Sequence, residues 1–303
     1  MENGMVAEQA YTSYKPLLFS LAYRMLGSVM DAEDIVQDAF LSLGAAGSEP
    51  IRSPKAYLCR VVTNRCIDRL RSSQKQREVY VGPWLPEPLL TEGDPAGNPA
   101  EVYIQQESVS TAYLLLLQQL SSTERAVFLL REVLLYDYDE IASIVGKSPT
   151  NCRQIFHRAK RSIGRPAAAG SGSAPCLAAS RPAACRETRM LIEGFSQALA
   201  RGDVAALLSA LAEDASLFSD GGGRVTAAIR PILGADRIVR FLAGLQQKSP
   251  AGFTFRPALV GGGPGLVTYV HGQPSSVVSF DAAGGQIHAI YIVINPEKLR
   301  HVR

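Results

Sequence analysis

The chain has 303 residues, enough for two or three domains, and its 31 Lys and Arg against 28 Asp and Glu leave a net charge of only +3. That total excludes a uniformly basic nucleic-acid coat; the charge is instead segregated along the chain. No apolar run nears the length of a membrane span, no charged-then-apolar leader is present, and Cys59, Cys66, Cys152, Cys176 and Cys185 show no CxxC or Cys/His spacing, so a reducing, cytoplasmic setting is expected.

In chain order, the first block runs over 7–73 and reads as helical. Tyr14, Leu17, Leu18, Leu21, Ala22 and Met25 form an apolar stripe that ends near Gly27. The spacing predicts a second helix over Asp31–Leu43 and a third over Pro54–Arg71. The second helix is acidic: Asp31, Glu33, Asp34 and Asp38 stand beside a buried stripe of Ala32, Ile35, Val36, Ala39 and Phe40. Acids in a first turn favour the helix dipole, which alone could explain them. The functional reading is a contact helix for a basic protein partner, with Gln37 and Phe40 adding contacts beyond charge.

Residues 51–77 reverse the sign, with eight Lys/Arg against the single acid Asp68. Ala56, Leu58, Cys59, Val62, Cys66, Ile67 and Leu70 are expected to pack inward. Lys55, Tyr57, Arg60, Asn64, Arg65, Asp68, Arg69 and Arg71 are left facing out. Aromatic and Arg side chains can hold an unstacked base while the other cations bind phosphate. A basic solvated helix is the alternative.

Residues 74–100 form a Pro- and Gly-rich linker containing Trp84-Leu85-Pro86-Glu87-Pro88. Trp84 is the only tryptophan. Its large apolar area predicts that it packs into a groove. A second helical block, 101–165, starts a helix at Ser121-Ser122-Thr123-Glu124 and ends in a helix-turn-helix over 138–163. Ile141, Ile144 and Val145 mark its first helix, Gly146 the turn, Ser148 the N-cap and Pro149 the first helical position. The second helix is expected to bury Cys152, Ile155, Phe156, Ala159 and Ile163. It displays Thr150, Asn151, Arg153, Gln154, His157, Arg158, Lys160 and Arg161. Six Lys/Arg and no acid between Gly146 and Arg165 suit base edges and phosphates. A helical hairpin with a solvated basic face is the alternative.

An Ala/Gly/Ser/Pro tract, 166–186, reads as a tether. The last block, 187–303, changes texture. Helical Thr188–Ala200 and Val204–Leu211 precede alternating stretches at 253–260, 266–272, 275–280 and 287–294, which predicts an α+β domain with a curved antiparallel sheet.

Taken together, these segments resemble a bacterial sigma factor of the extracytoplasmic-function class. YRMLGSVMDAEDIVQDAFL (23–41) is similar to the part of the first sigma domain that docks on the clamp helices of core RNA polymerase. The resemblance assigns that contact to Asp31, Glu33, Asp34, Gln37, Asp38 and Phe40. PKAYLCRVVTNRCIDRLRS (54–72) is similar to the part that melts and reads the −10 element, which implicates Lys55, Tyr57, Arg60, Asn64, Arg65, Asp68, Arg69 and Arg71. The stretch 120–163 resembles the second sigma domain, which reads the −35 element through Ser148, Thr150, Asn151, Arg153, Gln154, His157, Arg158 and Arg161. One departure is that the clamp-binding helix stops at Leu43-Gly44-Ala45-Ala46-Gly47 instead of a bulky end.

The last block resembles the fused SnoaL-like domain, a nuclear-transport-factor-like cone, of one subgroup of these factors. The resemblance rests on Asp220-Gly221-Gly222-Gly223-Arg224, on Asn295, Pro296, Lys298 and Leu299, and on Trp84, Leu85, Pro86, Glu87 and Pro88. The subgroup's glycine motif usually ends in Lys; Arg224 keeps the charge. The resemblance implies a multidomain chain of two all-α sigma domains and an α+β cone that regulates them in cis. It also implies no cofactor, no metal, no catalysis and no need for a separate anti-sigma factor. Asp220 and Arg224 are expected to pair across an interface. The competing reading gives the cone a sensing or catalytic pocket for an unknown small ligand, lined by His271, His288, Tyr291, Asp220 and Asp281. A plain helix-turn-helix regulator would leave the acidic and basic helices of the first block unexplained.

Overall fold

The computed structural model describes residues 2–45, 53–91, 109–164 and 182–302. They fall into two compact units. The first holds 2–78 and 114–164, the second 79–91, 109–113 and 182–302.

In the first unit, α1 (Glu2–Leu26) ends where Gly27 turns left-handed at φ 68°. Ser28 then caps α2 (Val29–Ala45), its Oγ accepting the Asp31 amide at 3.1 Å. Ser53 caps α3 (Pro54–Glu78) in the same way, and Pro54 takes the first position, where no N–H is needed. The three helices bury Leu18, Leu21, Ala22 and Met25 of α1, Ala32, Val36 and Ala39 of α2, and Leu58, Cys59, Val62 and Cys66 of α3. Ala56, expected inside, is exposed, because it sits in the first turn of α3 ahead of the packed stripe.

Helix α4 (Thr111–Gln118) leads to α5 (Ser122–Glu132) and α6 (Tyr138–Val145). Each of the latter two is opened by a reciprocal capping box, Ser121 with Glu124 and Asp137 with Glu140. Gly146, at φ 67°, makes the turn into α7 (Pro149–Ile163). Within this unit Arg125 of α5 is buried and donates to the Met25 carbonyl at the end of α1. The Tyr136 hydroxyl donates to Cys59 Sγ of α3 at 3.3 Å. These two bonds tie the second helical set to the first.

The second unit is α+β. Helices α8 (Pro182–Arg201), α9 (Val204–Ala210) and α10 (Ala235–Gln247) accompany β1 (Leu211–Asp220), β2 (Ile232–Leu233), β3 (Phe253–Val260), β4 (Gly263–Val270), β5 (Gln273–Ala283) and β6 (Gln286–Val293). The strand order is β2-β1-β6-β5-β4-β3. The antiparallel meander expected from alternation is β3 to β6. Its three two-residue turns, Gly261-Gly262, His271-Gly272 and Gly284-Gly285, all have positive φ, as tight hairpins require. β1 joins β6 in parallel, so the six-stranded sheet is mixed. Phe195, Ala198, Leu207, Ile238, Val239 and Leu242 of the helices pack on Leu217, Ile287, Ile290 and Ile292. Bulky side chains therefore fill the inner face.

The segment 79–91 belongs to this unit, and its last residues, Leu89–Thr91, lie along the edge strand β3. Thr91 N–H donates to the Leu259 carbonyl at 2.9 Å, Gly261 N–H to the Leu89 carbonyl at 2.7 Å, and Leu90 bridges Val260. Val109 N–H adds a bond to the Gly261 carbonyl at 2.7 Å.

Candidate nucleic-acid and polymerase interface

Helix α7 has two faces. Cys152, Ile155, Phe156 and Ala159 are buried, with Phe156 stacked 6.1 Å from Phe128 of α5. Ile163, expected with them, is only half-buried in the last turn. All eight residues expected at the −35 element are exposed: Ser148, Thr150, Asn151, Arg153, Gln154, His157, Arg158 and Arg161. Ser148 Oγ accepts the Asn151 amide at 3.3 Å, which fixes the helix start. Lys160 instead pairs with Glu132 at 3.5 Å.

On α3, Arg60, Asn64, Asp68 and Arg71 form an exposed row at spacings of four, four and three. Arg71 leans toward Asp68 at 3.7 Å. Tyr57 is half-buried, and the Lys55 ammonium sits 5.7 Å from the centre of the Tyr136 ring. Arg65 and Arg69 turn the other way, toward α2. Arg69 makes a two-pronged pair with Asp31, at 3.1 and 2.6 Å, and Arg65 pairs with Asp38. Asp31 strengthens the Arg69 guanidinium's hold on its proton, first by hydrogen bonding and then by charge.

The acidic helix α2 is thereby split into two ranks. Glu33, Asp34 and Gln37 face solvent, whereas Asp31 and Asp38 hold arginines of α3. Phe40 is half-buried, edge-on to Tyr11 with ring centres 4.9 Å apart.

A second site gathers on the other unit around Asp220, whose side chain is fully buried. Its Oδ1 accepts the Tyr80 hydroxyl at 2.6 Å and the Gly222 amide at 3.0 Å. Its Oδ2 accepts the Leu85 amide and the Lys298 ammonium, each at 2.8 Å. Four donors thus satisfy the carboxylate, the condition for keeping a charge inside a protein. Lys298 also donates to the Leu85 carbonyl and lies 3.9 Å from the Trp84 ring centre. Asn295 Nδ2 donates to the Tyr80 oxygen at 3.0 Å, and His301 Nε2 is 2.7 Å from the Pro88 carbonyl. Burial, and then Asp220, push the Tyr80 phenol well above its ordinary value. Gly222, at φ 60°, is required: a Cβ there would fall on the Asn295 amide.

The residues quoted from the linker, the glycine turn and the tail are therefore brought together. Leu85, Pro86 and Pro88 are buried and Trp84 and Glu87 half-buried. Pro296 and Leu299 begin and end a 3-10 turn. The expected Asp220–Arg224 pair is not formed. Asp220 takes Lys298, because the Ile294 and Asn295 amides donate to its own carbonyl and bring the tail in. Arg224 pairs with Glu297 at 2.8 Å on the surface. Tyr80 and His301 belong to the site but lie outside the quoted motifs; a phenol four residues before Trp84 was the only available signal for Tyr80.

The residues proposed to line a reactive pocket do not all converge: Asp281, His288 and Tyr291 neighbour one another on β5 and β6, while His271 and Asp220 lie elsewhere. His271 is exposed in a hairpin turn at φ 51°. His288 rests its ring on the Ala283 carbonyl at 3.3 Å, and Tyr291 is buried and stacked on Phe218. Asp220 is spent on Lys298. A 620 Å³ cleft does open beside α8, β3 and β4, lined among others by Arg189, Ile192, Glu193, Arg256 and Leu266, and none of the five lines it. Among the described residues no cluster of His, Cys, Asp or Glu could hold a metal ion, and no helix is long and apolar enough to cross a membrane.

Residues 10–76 match the family Sigma-70 region 2, and 110–163 match Sigma-70, region 4. The chain is 31% identical over 292 residues to the ECF RNA polymerase sigma factor SigJ of Mycobacterium tuberculosis (strain H37Rv), covering 93% of this chain and 89% of that one. It is 28% identical over 299 residues to a probable ECF sigma factor, SigI, of the same species, covering 97% and 95%. The crystal structure of M. tuberculosis SigJ superposes with a TM-score of 0.76 at 28% identity, over 95% of this chain and 96% of that one. These similarities do not bear out the expectation that no separate anti-sigma factor is required. Sigma regions 2 and 4 followed by an α+β domain, in a chain matched along nearly its whole length by such a factor, make this no enzyme but a member of the extracytoplasmic-function sigma factors, which bind core RNA polymerase and direct it to promoter DNA.

Proposed function

We propose that this sigma factor acts in the cytoplasm and is controlled in cis by its C-terminal domain through the linker. Glu33, Asp34 and Gln37 lead the contact with the polymerase clamp helices, helped by Asp31, Asp38 and the half-buried Phe40. The outward side of α3 takes the −10 strand, and the exposed face of α7 reads the −35 element. The observation that carries the regulatory part is the buried Asp220–Lys298 pair closed over Tyr80, Trp84 and Leu85.

The two promoter elements lie roughly 60–70 Å apart. Thr91 and Val109 are both bonded to the Leu259–Gly261 edge, so the connection between the two DNA-reading helices is pinned to the second unit on both sides of 92–108. Released, the whole span 79–108 reaches about 100 Å. The lock therefore limits how far the two DNA-reading helices can separate, and a signal or core polymerase that opens it permits engagement of both elements.

Run-off transcription with purified core polymerase tests the idea. Trp84→Ala in the full chain, and a chain ended after Ile163, are both expected to raise output from a cognate promoter several-fold. Unchanged output from folded protein in both would remove the cis control while leaving the sigma activity intact.

A further inference from the structure

Asp31, Asp38 and Ser42 stand on α2 at intervals of seven and four, a row on the side next to α3 that remains open to solvent, with the Asp38 side chain 57% exposed. Each meets an arginine of that helix. Arg69 uses Nε and Nη2 on Asp31, the side-on fork that fixes the guanidinium plane. Arg65 uses Nη1 on Asp38 and Nη2 on Ser42 Oγ at 3.0 Å, and the Ser42 hydroxyl in turn donates to the Asp38 carbonyl at 2.8 Å. A guanidinium carries five N–H groups. Each arginine thus spends two on α2 and keeps the rest for another acceptor. Both remain solvent-facing, with side chains 39% and 53% exposed for Arg65 and Arg69. Pairs this exposed add little to stability. Their effect is on orientation.

We propose that Asp31 and Asp38 are positioning residues, which hold Arg69 and Arg65 in a preset clamp for two successive phosphates of the promoter strand. Arg65 and Arg69 are one helical turn apart on α3, about 6 Å along the axis, which is close to the spacing of adjacent phosphates in a single strand. Free arginine side chains would have to be ordered when DNA arrives; here α2 has already ordered them. Asp38 keeps its proposed place at the polymerase contact, so docking and strand binding share one carboxylate. The inference rests on the reading of α3 as the −10 helix.

A double-mutant cycle tests it. Full-length chain is saturated with core polymerase and titrated with a fork-junction DNA carrying a single-stranded −10 element, at several salt concentrations. Asp31→Asn is expected to weaken DNA binding about 3–10-fold when Arg69 is present and not to weaken it in the Arg69→Ala background. The salt dependence should keep its slope in Asp31→Asn and lose about 0.7 in Arg69→Ala, as one strand phosphate contact disappears. Asp31→Glu should recover part of the loss. If Asp31→Asn tightens binding and steepens the slope, the acid masks the arginine and the proposal is overturned; equal effects in both backgrounds overturn it as well. Arg60→Ala and Arg71→Ala separate the two layers of argument: if neither weakens binding, it is the −10 reading of α3 that fails.

Discussion

Two buried or half-buried aspartates of the second unit show how neighbours decide what a carboxylate does. Asp220 has four donors and anchors the linker. Asp281, on β5, has the charge of His288 nearby, but burial dominates and raises its carboxyl above the usual carboxylate range. A folded-state value above the unfolded one means that the fold holds this proton more tightly. The stability so gained is complete below the unfolded carboxylate value and is lost as pH rises through the folded one. At neutral pH the fold therefore opposes the charge of Asp281. Asp281→Asn is expected to raise the denaturant midpoint at pH 7, with the advantage shrinking as pH falls toward the ordinary carboxylate range. A variant no more stable than its parent at pH 7 would contradict this. Residue chemistry of this kind is hardly legible in sequence. Asp220 and Arg224 look like partners because they are four apart, whereas the true partner, Lys298, is 78 positions away.

At the scale of elements, legibility follows the range of the forces. Helices α2, α3 and α7 announce themselves through apolar spacing and local caps, and their outward rows fall largely where the pattern places them. The β3–β6 meander is equally local, since alternation and two-residue turns specify it. Strand β1 is different. Leu211-Ala212-Glu213-Asp214 has no alternation, Ala215 to Leu217 are buried in succession, and the register shifts before Ser216. It is a strand because β6, some seventy residues later, lies parallel to it, and no local signal reports that. The same reasoning explains why α2 hides its division into two ranks: the pattern shows which residues point out, not which of those meet an arginine of another helix. The turn of the helix-turn-helix is local enough to test directly. Gly146 stands at φ 67° with open space where a Cβ would be, so only backbone strain opposes a side chain. Gly146→Ala should cost about 1–2 kcal/mol in thermal or denaturant unfolding. A cost near zero would mean that the turn relaxes to another conformation.

Across the whole chain, three compositional blocks become two compact units. Regions 2 and 4 share one of them, through the buried Arg125 on the Met25 carbonyl and Tyr136 on Cys59. Composition reports charge and hydropathy along the chain; it does not report that a linker rich in proline would be claimed by the domain beyond the next one. That claim rests on Leu85, Pro86 and Pro88 being apolar enough to bury and on the backbone of 89–91 finding partners on β3.

The covering of β3 has a consequence for the domain taken alone. A chain begun at Pro182 would keep the sheet but lose Leu89 to Thr91 and Val109, leaving the Leu259 and Gly261 carbonyls and the Gly261 amide open on an edge that also carries the half-exposed Phe253. Bare sheet edges recruit other strands. Such a fragment is expected to self-associate in light scattering at concentrations where the intact protein does not, and supplying a peptide of residues 79–91 in trans should return it toward the monomer; a fragment that stays monomeric without the peptide would show that the edge protects itself.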